Sequence, residues 1–443
     1  MASPRSGCKA TGVNPRRGAA TEGLPYMTAG SGTQIRFMIR YPAFDPPEYI
    51  DWQPDSQVVD QFRSTIDDNA DRRELVRALG AAELISLYEG LIRNRLHDVA
   101  LKRWVKQGVI SKAWLGTGEE AATIGPVHAL NREPWSDGTS TDFVAPMIRN
   151  AGACHQMGMP VADMLRGYLG TEDSPTRGRD LHIGSFARGV LAPISHVADI
   201  MTVVTGVALS FKLKREPRVA LTWIGDGSTK SGPFHESMNL AAVQRLPLIV
   251  IIQDNKVALG TRLDQHHRGS FAAWAEAYGA EGGAFDGNHV LDAYAAVKVA
   301  VDGCRNGSGP FLLIADTFRM GGHATHDERE ARATFDASLF EYWGKRDPIG
   351  LFEAFLIEDS LDLETGRRVK RTDGLRQRNA EVLRRSEQRV VNEVERAAEE
   401  ALVSGRENMP HGESVADGVY AQAERETGSE GERAKSSRKP AAG

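Results

Sequence analysis

Asp226 stands between Gly225 and Gly227 directly after the apolar run Arg218–Ile224, and Asn255 follows the next apolar run, Leu246–Ile252, 29 residues later. That separation matches one strand–helix–strand unit, so a carboxylate and an amide oxygen would face each other across a crevice at the ends of adjacent strands. Such hard oxygen ligands suit Mg²⁺, which takes few protein ligands and completes its octahedron with phosphate oxygens and water. Gly227 would let the backbone approach a phosphate, and the next helix would offer its free N–H groups. A plain Asp-Gly turn after a strand is the alternative. Two other glycine-loop readings fail on spacing. A dinucleotide fingerprint would need glycine where Lys230 stands, and a P-loop beginning at Gly227 would need Lys-Ser or Lys-Thr where Pro233-Phe234 stand.

The elements that must position these residues are legible as short apolar runs alternating with helical periods, the pattern of an α/β fold with a parallel sheet and helices on both faces. Arg218–Ile224 ends at the Gly-Asp-Gly, Leu246–Ile252 at Gln253-Asp254-Asn255, and Phe311–Asp316 at Thr317-Phe318-Arg319. Ligands in open α/β sheets bind outside the carboxyl ends of the strands, so the three polar clusters should converge. Pro233 suits a first helical turn, and Phe234–Gln244 reads as the crossover helix. Leu75, Leu79, Leu84, Leu87, Tyr88 and Leu91 predict one helix from Arg72 to Gln107. From Glu364 to Leu402, Arg and Glu at helical spacing with a thin stripe (Leu375, Val382, Val390, Val391, Val394) predict a solvated helical arm. The chain therefore divides into a tail over 1–45, a main domain over 46–360, a C-terminal helical arm over 361–404 and a second tail over 405–443.

The composition, 41% hydrophobic and 26% charged, is that of an ordinary globular chain. A net charge of −5, from 54 basic and 59 acidic residues, gives no field to hold nucleic acid. No apolar run reaches the ~18–20 residues of a membrane span. Cys8, Cys154 and Cys304 lie far apart and odd in number, which fits a reducing compartment without disulfides. The first twenty residues carry Arg5, Lys9, Arg16 and Arg17 but no apolar segment. A bacterial cytoplasmic location is expected, with the mitochondrial matrix as the alternative.

The span GDGSTKSGPFHESMNLAAVQRLPLIVIIQDNKVALGT resembles the thiamin diphosphate motif in the alpha subunit of the 2-oxoacid dehydrogenases, the family of pyruvate and branched-chain 2-oxoacid dehydrogenases. The resemblance runs from about residue 80 to 356 and implies the thiamin diphosphate-binding fold. It makes Asp226, Asn255 and the Val257 carbonyl the Mg²⁺ ligands, with Gly225, Gly227 and Ser228 in the loop that takes the diphosphate. Asp254 replaces the first asparagine of the motif, and Val257 replaces its usual tyrosine.

Other segments carry the same resemblance. WLGTGEEAATIG (114–125) is similar to the early G-x-E-A helix, and MIRNAG (147–152) places Arg149 on the diphosphate, with Ile148 where an aromatic is usual. GRDLHIGS (178–185) implies that His182 lies near the reacting carbon. SHVADIMTVVTGVA (195–208) implies that Val197, with Ser195 beside it, props the bent cofactor; core packing is the alternative for Val197. The potassium ion of branched-chain relatives is not expected, because Ile194, His196, Asp199 and Ile200 occupy its positions. FRMGGHATHDERE (318–330) implies diphosphate contacts from Arg319 and His323, and Ala324 stands where mitochondrial relatives are phosphorylated. His323 and His326, without further ligands, do not make a zinc site.

The implied activity is oxidative decarboxylation of a small 2-oxoacid, with acyl transfer to a lipoyl group on an acyltransferase component. His182 and His323 are the catalytic candidates. The glutamate that ionises the cofactor belongs in this family to a beta subunit, so an alpha2beta2 heterotetramer is expected and the chain alone should be inactive. DGNHVLDAYAAVKVA (286–300) and the segment Tyr49–Phe62 resemble the branched-chain type. Pyruvate or acetoin dehydrogenase is the alternative, and so is a non-catalytic assembly subunit of the same fold.

Overall fold

A computed structural model of the chain describes residues 52–133 and 141–416. The expected N-terminal tail, residues 1–45, lies outside the described residues.

Five parallel strands build the central sheet: β1 (Phe143–Ala145), β2 (Ala220–Gly225), β3 (Leu248–Asp254), β6 (Glu281–Asp286) and β7 (Phe311–Asp316), in the order β1-β2-β3-β7-β6. Two short strands, β4 (Val257–Ala258) and β5 (Thr261–Arg262), form an antiparallel hairpin between β3 and β6. Strand residues point alternately to the two faces. On one face Ala220, Ile224, Val250, Ile252, Leu312 and Ile314 bury against helices Asp199–Lys214, Gly232–Gln244 and Ala272–Tyr278. On the other, Trp223 is fully buried and donates its indole N–H to the Ala122 carbonyl of helix Glu120–His128 at 2.8 Å, and that helix packs on Val290–Arg305. Both faces are covered, which is why the strands read as continuous apolar runs.

Register aligns the carboxyl ends of the strands. Gly225 pairs with Gln253 and Asp254 with Asp316, so Asp226, Asn255 and Arg319 leave the sheet at one edge of the layer. β1 runs alongside β2 and ends at Ala145, four residues before Arg149.

Three expectations are corrected. The helix expected over Arg72–Gln107 is two, Ala70–Arg77 and Ala81–Lys106. Gly80 stands at the N-cap of the second, its N–H donating to Glu83 at 2.8 Å, and this break interrupts the continuous leucine period. The C-terminal helix, Asp373–Glu407, is not a solvated arm. All five residues of its apolar stripe are buried, together with Leu383, Ala397, Ala398, Ala401 and Ser404, against helices Ala81–Lys106, Val161–Leu169 and Pro348–Glu358. Its charges divide between the expected one-turn pairs, such as Arg385–Glu381, and bridges to the neighbouring helix, where Arg93 grips Glu393 with two 2.9 Å bonds. Finally, residue 405 does not begin a tail. The helix continues to Glu407, and the Asn408 and Ser414 carbonyls accept hydrogen bonds from Glu172 N–H (2.7 Å) and Arg179 (2.9 Å).

Candidate active site

The turn after β2 is built by Asp226. Its Oδ1 accepts the Gly227 N–H at 2.7 Å and starts a short 3₁₀ turn, Gly227–Lys230, whose Thr229 hydroxyl bonds back to the Asp226 carbonyl. The crossover helix then runs over Gly232–Gln244, with Pro233 in its first turn as the sequence predicts. A Cβ on Gly227 would meet Ala258 Cβ at 2.4 Å, so hairpin β4–β5 packs onto the glycine. A Cβ on Gly225 would lie 3.2 Å from Arg149 Nη2, so glycine also leaves room for that guanidinium. Ser228, the next loop residue, accepts from the Ser231 hydroxyl at 2.9 Å through its carbonyl.

Asp226 is 1% exposed, and its Oδ2 has no hydrogen-bond partner among the described residues. Burial raises its pKa above the ordinary carboxylate value. Asn255 is equally buried; its Nδ2 donates to Glu119 Oε1 at 3.0 Å, and its Oδ1 takes only a long 3.4 Å contact from Val257 N–H. One free carboxylate oxygen and one amide oxygen are hard donors whose chemistry fits a small divalent cation.

Cationic side chains surround this set. Arg319 is buried, donates to the Gly321 and Leu259 carbonyls at 3.2 and 2.9 Å, and has its pKa pushed down to about 10 by burial and by Arg149. Arg149 Nε is buried without a hydrogen-bond partner among the described residues, 3.5 Å from Glu119 Oε2. His323 lies 3.5 Å from Arg319, and burial with Arg149 and Arg319 pushes its pKa down to about 4, so it is neutral at pH 7. Desolvated arginines beside a neutral histidine are suited to phosphate oxygens.

Of the residues expected in the site, Arg149, Asp226, Asn255, Arg319 and His323 thus lie together. His182 and Ser195 form a second group. Ser195 Oγ lies 2.9 Å from His182 Nε2, and His182 Nδ1 lies 2.6 Å from Asp180 Oδ1. Val197 is 62% exposed, so core packing does not explain it. Among the described residues no three His, Cys, Asp or Glu side chains converge as a metal cluster. Cys154 and Cys304 are free and buried.

The sequence model of the dehydrogenase E1 component matches residues 90–374. The chain belongs to that family. It is an alpha subunit of the thiamin diphosphate-dependent 2-oxoacid dehydrogenases, and its relatives fall on both sides of a substrate division. It is 29% identical over 293 residues to the pyruvate dehydrogenase E1 component subunit alpha of Porphyra purpurea, covering 63% of this chain and 81% of that one. It is 29% identical over 291 residues to the 2-oxoisovalerate dehydrogenase subunit alpha of Bacillus subtilis, covering 64% and 86%. The mitochondrial 2-oxoisovalerate dehydrogenase subunit alpha of Mus musculus is 28% identical over 318 residues, covering 71% and 69%.

Within this alpha subunit, sequence reasoning missed three side chains. Glu119 accepts from both Asn255 and Gln253 (3.3 Å) and faces Arg149, joining the end of β3 to the loop after β1. Its signal was the carboxylate pair Glu119-Glu120 opening a helix; Glu120 instead pairs with the buried Arg95. Asp180 was visible only as an acid two residues before His182. His266, whose Nε2 lies 3.8 Å from Asp226 Oδ2, gave no signal. The departures from the family motif are also accommodated. Lys230 sits over the Phe271 and Trp274 rings and donates to His267 Nδ1 at 2.6 Å, while Asp254 is neutralised by Lys256 at 2.7 Å.

Proposed function

We propose that this alpha subunit anchors thiamin diphosphate through Mg²⁺ and acts on a branched-chain 2-oxoacid of the 2-oxoisovalerate type. The observation that carries the reading is the convergence of Arg149, Asp226, Asn255 and Arg319 around a buried carboxylate oxygen that has no hydrogen-bond partner among the described residues. Asp226 Oδ2, Asn255 Oδ1 and the Val257 carbonyl would hold the metal. Arg149, Arg319 and His323 would take the diphosphate, and Gly225, Gly227 and Ser228 would line its approach. Ser195 and the exposed Val197 would meet the cofactor's bend.

Thiamin diphosphate, when bound, supplies the electron sink for loss of carbon dioxide from the 2-oxoacid. The chain's own residues position it and handle protons. His323, neutral because of burial and two arginines, can donate or accept at one nitrogen. Asp180 accepts the His182 Nδ1 proton, which leaves Nε2 to interact with the Ser195 hydroxyl and with substrate. A beta subunit would supply the glutamate that ionises the cofactor, in an alpha2beta2 heterotetramer, and the acyl unit would pass to a lipoyl-bearing acyltransferase. We place this assembly in the cytoplasm. Among the described residues no helix is long and apolar enough to cross a membrane.

The branched-chain choice is supported by the segments 286–300 and Tyr49–Phe62, and the described parts of the two interlock. His289 caps helix Val290–Arg305 and donates to the Phe62 carbonyl at 2.6 Å while stacking on the Phe62 ring. Pyruvate and acetoin are the competing substrates. Calorimetric titration of the alpha–beta complex with thiamin diphosphate and Mg²⁺ should show binding that Asp226→Ala abolishes without unfolding; wild-type affinity in the variant would refute the metal assignment. Turnover should favour 3-methyl-2-oxobutanoate over pyruvate and acetoin, and a strong preference for pyruvate would overturn the substrate choice.

A further inference from the structure

His266 ends a four-residue helical turn, Leu263–His266, that directly follows the hairpin β4–β5 carrying Val257. Its side chain is 14% exposed, and both of its ring nitrogens are buried without a hydrogen-bond partner among the described residues. A neutral imidazole carries one donor and one acceptor, so burying both unpaired is costly unless a ligand takes one of them. His266 Nε2 lies 3.8 Å from Asp226 Oδ2, which is likewise buried without a hydrogen-bond partner among the described residues. That separation is too long for a hydrogen bond. It falls within the span of about 3 to 4 Å between two ligand atoms that each sit roughly 2.1 Å from one divalent ion.

The segment bearing His266 is held in place. His267 is bonded to Lys230 at 2.6 Å and stacked on Phe271 with ring centroids 3.9 Å apart, and Lys230 itself lies over Phe271 and Trp274. The Leu263 N–H donates to the Lys256 carbonyl at 3.0 Å, which ties the turn to the residue beside Asn255. Lys230 thereby acquires a role as the clamp that keeps the His266 turn against Asp226.

We propose that His266 Nε2 is a fourth protein ligand of the metal held by Asp226, Asn255 and Val257. The inference rests on Asp226 being a metal ligand. An imidazole nitrogen suits first-row transition ions better than Mg²⁺, which prefers oxygen and keeps its waters. The site therefore favours Mn²⁺ more strongly than an all-oxygen site would.

The test uses the alpha–beta complex, ¹⁵N-labelled at histidine and loaded with Mn²⁺ and thiamin diphosphate. Electron spin-echo envelope modulation of the wild-type complex should show one imidazole nitrogen bound directly to Mn²⁺. His266→Gln should remove that coupling and weaken Mn²⁺ binding by at least about tenfold, since even an outer partner of a ligand carries about 10–100-fold. His267→Gln should keep the coupling. Mn²⁺ binding that depends on Asp226 but shows no imidazole coupling in the wild type, or coupling that persists in His266→Gln, overturns this inference and leaves the Asp226 assignment intact. Mn²⁺ binding undiminished in Asp226→Asn overturns both. The wild-type spectrum decides the matter even where His266→Gln fails to fold.

Discussion

Glu119→Gln should weaken binding of thiamin diphosphate with Mg²⁺ by roughly 10–100-fold while leaving the chain folded. Glu119 Oε1 accepts from Asn255 Nδ2 at 3.0 Å and from Gln253 Nε2 at 3.3 Å, and Oε2 faces Arg149 Nε at 3.5 Å. A carboxylate can only accept, so both amides must give it their NH₂ groups. Asn255 is thereby forced to turn Oδ1 away from Glu119, toward the Val257 N–H and the proposed metal. Glutamine keeps the shape but replaces one acceptor with a donor. That donor must oppose either the two amides or the Arg149 guanidinium, and the first arrangement frees Asn255 to flip its nitrogen toward the metal. Losing one charge-assisted hydrogen bond costs about 1.5–3 kcal/mol. At about 1.4 kcal/mol per tenfold, that gives the stated range. Isothermal titration of the alpha–beta complex, with circular dichroism to monitor folding, measures it. Affinity within about twofold of wild type in a folded variant would refute the claim that Glu119 sets the Asn255 amide.

Further outcomes follow from the same geometry. Gly227→Ala places a Cβ 2.4 Å from Ala258 Cβ and should cost about 1–3 kcal/mol in urea unfolding by pushing the hairpin off the turn; an unchanged midpoint would contradict that packing. Leu383→Ala removes a fully buried side chain from the C-terminal helix and should cost about 2–5 kcal/mol, whereas a solvated arm would lose less than about 0.5 kcal/mol. Burial pushes His289 down to about 4 from an ordinary 6.5, so between those values the unfolded chain binds a proton that the folded chain refuses. The stability that His289 contributes is present above pH 6.5 and lost as pH falls toward 4. The stability gap between wild type and His289→Gln should therefore narrow by up to about 1.4 kcal/mol per pH unit in that window, and a pH-independent gap would count against the neutral imidazole. Asp180→Ala should lower kcat about tenfold with KM little changed, by releasing the His182 ring, and Asp180→Glu should restore part of it; equal kcat in all three proteins would leave Asp180 without a positioning role.

The sheet was legible because its strands are covered on both faces and so read as uninterrupted apolar runs. The strand ends are legible where polar residues terminate those runs, which is why Asp226, Asn255 and Arg319 can be read from the sequence as lying at one edge of the sheet. Side chains arriving from elsewhere were not. Glu119 reaches the strand ends from the start of a helix, and its sequence neighbourhood looks the same whether its carboxylate is buried or solvated. His266 lies in a polar stretch with no periodicity, and only its distance to Asp226 gives it meaning. The C-terminal helix shows the opposite error. Its apolar stripe is legible in the sequence, but Ala397, Ala398, Ala401 and Ser404 extend the packing surface beyond it. Small residues let the helix approach its neighbours closely, and a hydrophobic pattern that weighs only large side chains undervalues them.

The departures from the family motif bear on whether the site is a working one. Asp254 stands where an uncharged asparagine is usual and pairs across the sheet with Asp316, which would gather like charge beside Asp226. Lys256 bridges both at 2.7 and 2.6 Å, adopting a left-handed backbone with φ 71° to do so, and their charges raise its pKa against the opposing effect of burial. A non-glycine residue in that conformation is held only where its surroundings compensate. Lys230, the other charged departure, is compensated by two aromatic faces and His267. A site decaying into a scaffold would be expected to accumulate charges without partners. Here each charged departure has acquired one, and among the described residues Asp226 Oδ2, Glu119 Oε2, Arg149 Nε and the His266 ring are buried without a hydrogen-bond partner where a metal and a diphosphate would lie. Partnered charges at both departures, beside a buried Asp226 oxygen that a metal would satisfy, favour the catalytic reading over the assembly-subunit reading.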